Sequence, residues 1–98
     1  MSITIVAKLK AKAGSEKQLE EAARAMIAKV RGEEGTEQYV LHRSVQDPTV
    51  FVYYEVYRDQ AAADVHRKTA HMAEFGGKIG ALLDGRPTID ILQEVARK

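Results

Sequence analysis

Apolar and polar positions alternate from the start of the chain. Ile3, Ile5, Ala7, Leu9 and Ala11 fall on one side of an extended segment, and Thr4, Val6, Lys8, Lys10 and Lys12 on the other. This predicts a strand ending at Ala13-Gly14. From Ser15 the period becomes helical, with Leu19, Ala22, Ala23, Met26, Ile27 and Val30 on one stripe of an otherwise charged surface. Ser15 and Gln18 have capping-box spacing, and Gly32 and Gly35 bracket the helix end. A second strand is expected from about Thr36 to Val45. Asp47-Pro48-Thr49 turns the chain into a third, Val50 to Tyr57, because proline cannot donate to a ladder. Here Val50, Val52, Tyr54 and Val56 face one way, and Phe51, Tyr53, Glu55 and Tyr57 the other. Asp59 suits the cap of a helix through Ala61, Ala62, Val65 and His66. Thr69 interrupts that helix and opens another, in which Met72, Phe75, Ile79, Leu82 and Leu83 recur at three and four. Gly76, Gly77 and Gly80 each weaken it, so they predict close helix packing or room for a bound molecule. Asp84-Gly85-Arg86-Pro87 ends the helix, and Thr88 to Val95 reads as a last strand.

The order βαββαβ predicts an α+β, ferredoxin-like antiparallel sheet spanning the whole chain, 1–98, as one domain. Right-handed crossovers put the first and third strands in the centre and both helical segments on one face. The other face is then bare, although the third strand is apolar on both sides. At roughly 25 cal/mol per Å2, a few hundred Å2 of such surface represents several kcal/mol of driving force. A second copy packed sheet to sheet would cover it, so a homodimer through the exposed sheet face is expected.

Composition narrows the chemistry. The chain has no cysteine, which removes disulfides, zinc ribbons, iron–sulfur clusters and thiol nucleophiles, and it has no tryptophan. Fifteen basic and fourteen acidic side chains nearly cancel. Lys8, Lys10 and Lys12 guard a strand end, and no clustered basic face points to nucleic acid. The longest apolar run, Val50 to Tyr54, is far short of the ~20 residues of a membrane span. No leader pattern precedes the first strand, so a cytoplasmic setting without membrane partners is expected.

Glu55, His66 and His71 converge on the junction between the third strand and the following helices, with Tyr53 and Tyr57 on the face of Glu55. On one continuous helix the two histidines would be about 140° apart, and the break at Thr69 lets both face one cleft. His71, at the start of the new helix, sits where the dipole disfavours an imidazolium, as a general base requires. Two histidines and a carboxylate can form a facial iron triad, but nothing beyond the count suggests one, and no metal is expected. No Ser-His-Asp, Walker or dinucleotide motif occurs, so flavin and nicotinamide are not implied.

The run Tyr53-Tyr54-Glu55-Val56-Tyr57-Arg58-Asp59, then Ala61-Ala62, His66, and Thr69-Ala70-His71-Met72-Ala73-Glu74-Phe75, resembles the signature of antibiotic biosynthesis monooxygenase domains. The similarity extends over essentially the whole chain. It implies a dimeric α+β barrel with a pocket between sheet and helices in each subunit. It also implies an activity within the range of cofactor-free quinol and polyketide monooxygenases, a sugar-phosphate isomerase and haem-degrading enzymes. Tyr57 stands where the family often has tryptophan. The haem-degrading branch relies on Asn, Trp and His together, and this chain has neither Trp nor Asn. The expectation is therefore a cofactor-free oxygenase acting on a small aromatic or quinol with O2. In it His71 or His66 is the base, Glu55 orients the histidine, Tyr53 or Tyr57 donates to an oxyanion, and Met72 and Phe75 shape the pocket. A proton-transfer isomerase and a non-catalytic metabolite-binding dimer are the alternatives.

Overall fold

A computed structural model describes all 98 residues. Its elements are β1 (Ile3–Lys10), α1 (Glu16–Val30), β2 (Thr36–Arg43), β3 (Val50–Tyr57), α2 (Gln60–Arg67), α3 (Ala70–Ile79) and β4 (Thr88–Leu92). The strand order is β2-β3-β1-β4 with every pair antiparallel. This is the expected ferredoxin-like sheet with β1 and β3 in the centre. Alternation along β1 and β3 sends Ala7, Leu9, Phe51 and Tyr53 to the helical side. There they pack with Leu19, Ala22, Ala23 and Met26 of α1 and Phe75 and Ile79 of α3. A smaller cluster, Ile5 and Tyr57 against Ala62 and Ala63, seats α2. On the opposite face Val6, Tyr54 and Val40 lie side by side across β1, β3 and β2. Tyr54 is 38% exposed and Val40 42%.

Local chemistry explains the element ends. Asp59 accepts the Ala62 N–H at 2.8 Å and opens α2. At the break before α3, Thr69 Oγ1 accepts the Met72 N–H at 3.2 Å and donates to the His66 carbonyl at 2.8 Å, so one side chain closes one helix and starts the next. Ser15 holds the N-cap position of α1, but its side chain makes no cap bond. The neighbouring Glu16 carboxylate takes the Gly14 N–H instead. β2 stops at Arg43 rather than Val45, because Ser44 Oγ accepts the Gln46 and Asp47 N–H groups and bends the chain. β4 stops at Leu92 rather than Val95, because its last partner is Thr4 and β1 offers almost no more ladder.

The glycines differ most from expectation. A Cβ at Gly76, Gly77 or Gly80 would meet nothing within 4 Å, so no close helix packing requires them. Gly32 and Gly35 do not terminate α1 in the left-handed region, since Gly14 and Gly85 alone have positive φ. Gly35 serves close approach: a Cβ there would sit 2.4 Å from Ala62 Cβ. Its carbonyl also accepts the Arg58 N–H at 2.8 Å. The loop between α1 and β2 is thereby pinned to the start of α2.

Candidate active site

That pinned loop carries Glu33. Its carboxylate points between the last turn of α2 and the first turn of α3, where His66 and His71 converge. His66 Nδ1 lies 2.9 Å from Glu33 Oε1 and 3.2 Å from Oε2, and His71 Nε2 lies 2.6 Å from Oε2. Thr36 Oγ1 donates a further bond to Oε1 at 3.1 Å. The Thr69 break lets both imidazoles turn to one point, but they do not share the expected cleft: His71 lines the cavity between α1 and α3 and His66 does not. The group they meet is one the sequence did not single out. The side chains of Glu33 and His66 are 9% and 3% exposed, whereas that of His71 is 22% exposed.

Burial alone would raise the Glu33 carboxyl. The His71 hydrogen bond, the charge and hydrogen bond of His66, and Thr36 outweigh it and hold Glu33 below its ordinary value. Burial lowers His66 below its ordinary value, and the Glu33 carboxylate pulls the other way. An ionised Glu33 is acceptor-only, so each ring presents an N–H to it, His66 from Nδ1 and His71 from Nε2. In the neutral form of either ring the outward nitrogen, His66 Nε2 or His71 Nδ1, carries the lone pair. A single carboxylate thus fixes two tautomers, with both outward nitrogens as proton acceptors.

Glu55 was expected to orient the histidines, and it does not touch them. It is buried on β3 and accepts the Tyr57 hydroxyl at 2.6 Å. Burial pushes its carboxyl up to about 7, the Glu33 charge adds to the rise, and the Tyr57 bond opposes it. The Tyr57 ring leans on His66 with centroids 5.4 Å apart, so Glu55 reaches the histidine only through Tyr57. Tyr39 stands on the other side of His66 at 5.3 Å and stacks on Tyr53 at 4.7 Å. Tyr53 donates its hydroxyl to the Ala23 carbonyl at 2.7 Å. Both tyrosines proposed as oxyanion donors are therefore buried with their hydroxyls already engaged.

Two cavities border this cluster. One of about 160 Å3 lies between α1 and α3, lined by His71, Phe75, Met26, Lys29, Glu74 and Lys78 among others. A cavity of roughly 150 Å3 admits one benzene ring. Met72 lies half-buried against the main core rather than on this cavity. A larger space of about 510 Å3 between α1 and β2 has Ile27, Leu41 and Phe51 on its walls and Arg24, Arg31 and Arg43 around it. It contains neither His66 nor His71 and meets the cluster only at Tyr39. Of the two, only the smaller is lined by one of the paired histidines, His71.

Residues 2–78 match the antibiotic biosynthesis monooxygenase family. The chain belongs to that family. It is 33% identical over 81 residues to YcnE of Bacillus subtilis (strain 168), provisionally named a monooxygenase, covering 83% of this chain and 85% of YcnE. The fold superposes on Rv0793 from Mycobacterium tuberculosis with a TM-score of 0.92 at 25% identity, over 99% of this chain and 98% of that one. PA3566 from Pseudomonas aeruginosa gives 0.89 at 36% identity, over 97% and 95%. Family membership supports a monooxygenase-like function and leaves the substrate open. No helix is long and apolar enough to cross a membrane.

Proposed function

We propose that this member of the family is a cofactor-independent monooxygenase acting on a small aromatic or quinol-type substrate, with His71 as general base. The observation that carries the reading is the His71 ring, tied through Nε2 to Glu33 at 2.6 Å and lining the cavity between α1 and α3. Its Nδ1 lone pair accepts a substrate proton, and the Glu33 carboxylate stabilises the imidazolium that forms. The resulting electron-rich anion supplies the electrons that reduce O2. In the overall balance one oxygen atom enters the product and the other leaves as water, with all four electrons drawn from the substrate. Phe75 and Met26 offer the ring an apolar wall. Glu55, through Tyr57, positions His66 rather than meeting substrate.

Oxygen uptake with a panel of hydroquinones tests this reading. His71→Ala is expected to lower turnover by roughly 10²–10⁴-fold, the usual contribution of a positioned base. Unchanged uptake would remove His71 from the role. The isomerase alternative draws support from the two acceptor nitrogens sharing one carboxylate, a layout suited to moving a proton without redox change. Turnover under strict anaerobiosis would favour it.

The homodimer belongs to the same reading, as does a cytoplasmic setting. The exposed Val40 and Tyr54 on the bare sheet face support pairing. Sedimentation should return a species of about twice the 10.9 kDa chain mass, and Tyr54→Asp should shift it towards monomer. A wild-type monomer at high concentration would contradict the pairing.

A further inference from the structure

We propose that Glu33, His66 and His71 also form a binding site for one divalent transition metal of zinc-like chemistry, and that the metal competes with the proton-accepting role of the histidines. Two imidazoles and one carboxylate are the donor set that suits zinc and its first-row neighbours. A single oxygen donor is too few for calcium or magnesium. The ligand atoms of the three residues all lie within 4.8 Å of one another. Donors about 2.1 Å from a shared tetrahedral ion stand roughly 3.4 Å apart. The carboxylate oxygens and ring nitrogens now stand 2.6 Å and 2.9 Å apart, so the three side chains need spread by less than about 1 Å to admit the ion. The three ligands come from the loop and both helices, each held independently. Gly35 seats the loop on Ala62, Thr36 bonds the Glu33 carboxylate, and Thr69 fixes the junction between the helices. Such outer partners keep ligands oriented.

Competition follows from proton bookkeeping. Without metal, each ring carries its proton on the nitrogen facing Glu33 and a lone pair on the other. A metal takes the lone pair of the inward nitrogen, so the ring proton moves to the outward one. Both His66 Nε2 and His71 Nδ1 then become N–H donors and can no longer accept a substrate proton. Metal binding rests on the geometry alone, and only the inhibition rests on the oxygenase reading.

The test uses the metal-stripped, tag-free full chain, titrated with zinc chloride by calorimetry and with cobalt(II) chloride by visible absorption. The expected result is one ion per chain with cobalt d–d bands. Glu33→Gln and His71→Ala, both checked for folding by circular dichroism, should weaken binding by more than the roughly 10–100-fold lost with an outer-shell partner. His42→Ala, on the exposed side of β2, should leave it unchanged. Nitrogen-15 shifts should show the tautomers of His66 and His71 reversing as zinc is added. No binding, or binding indifferent to Glu33→Gln and His71→Ala, would overturn the site. Zinc bound at the three residues with oxygen uptake undiminished would keep the site, overturn the competition, and remove His71 as the base.

Discussion

Two carboxylates lie on either side of His66, the half-buried Glu33 bonded to it and the buried Glu55 one tyrosine away, and they are driven in opposite directions. Glu33, on the loop before β2, receives hydrogen bonds from two imidazoles and a threonine, and is held below its ordinary value. Glu55, on β3, receives one from Tyr57, and burial with the Glu33 charge nearby pushes it up to about 7. Glu55 is the more deeply buried of the two and has one donor, whereas Glu33 is half-buried and has three with the His66 charge beside them; depth and donors together set the opposite directions. The difference assigns their roles. Glu33 is the permanent anion that sets the histidines, and Glu55 is a group that changes charge near neutrality.

The sharpest way to break this contrast is to neutralise each carboxylate without changing its shape. Glu33→Gln removes the anion and offers an amide to two ring donors, so turnover should fall by about 10²-fold or more. Glu55→Gln preserves the Tyr57 acceptor and should leave turnover at alkaline pH within about tenfold of wild type. Equal losses in oxygen-uptake assays would erase the distinction.

A second test concerns the loop. Gly35→Ala forces a Cβ against Ala62, which should cost about 1–3 kcal/mol in urea unfolding and displace Glu33. Activity and stability should fall together, whereas Gly76→Ala, with open space around it, should cost neither.

Much of this arrangement was legible from residue order. Glu55 stands out because it is the lone charged side chain inside the apolar strand Val50 to Tyr57. His66 and His71 stand out because Thr69 separates them in an otherwise helical stretch. Glu33 does not, because it lies in the charged run Gly32-Glu33-Glu34-Gly35, where acidic side chains ordinarily face water. It meets His66 and His71 from 33 and 38 residues away. No local period encodes such a contact; it depends on how closely the loop approaches α2. The only sequence signal was Gly35, which reads equally well as a helix stop. The caps show the same limit: Asp59 and Thr69 act as their types suggest, whereas Ser15, with ψ near 1° rather than extended, makes no cap bond.

The subtlest expected difference is in pH dependence. The folded state holds the Glu55 proton up to about 7, above the ordinary carboxylate value of 4.5, so the folded form binds more protons between these limits. That contribution to stability is present at low pH and lost as pH rises towards 7, by roughly 3 kcal/mol in total. Glu33 and His66 act in the opposite sense, since both are lowered on folding. Urea midpoints at pH 5 and pH 8 should therefore show Glu55→Gln gaining on wild type at the higher pH. No relative gain would mean that Glu55 is not raised.

The account stands on one ionised carboxylate fixing the orientation of two imidazoles. Nitrogen-15 correlation spectra of the metal-free protein at neutral pH read this directly. The prediction is an N–H at Nδ1 of His66 and at Nε2 of His71, each hydrogen-bonded to Glu33, with both bonds lost in Glu33→Gln. A His66 ring protonated at Nε2 alone would contradict it.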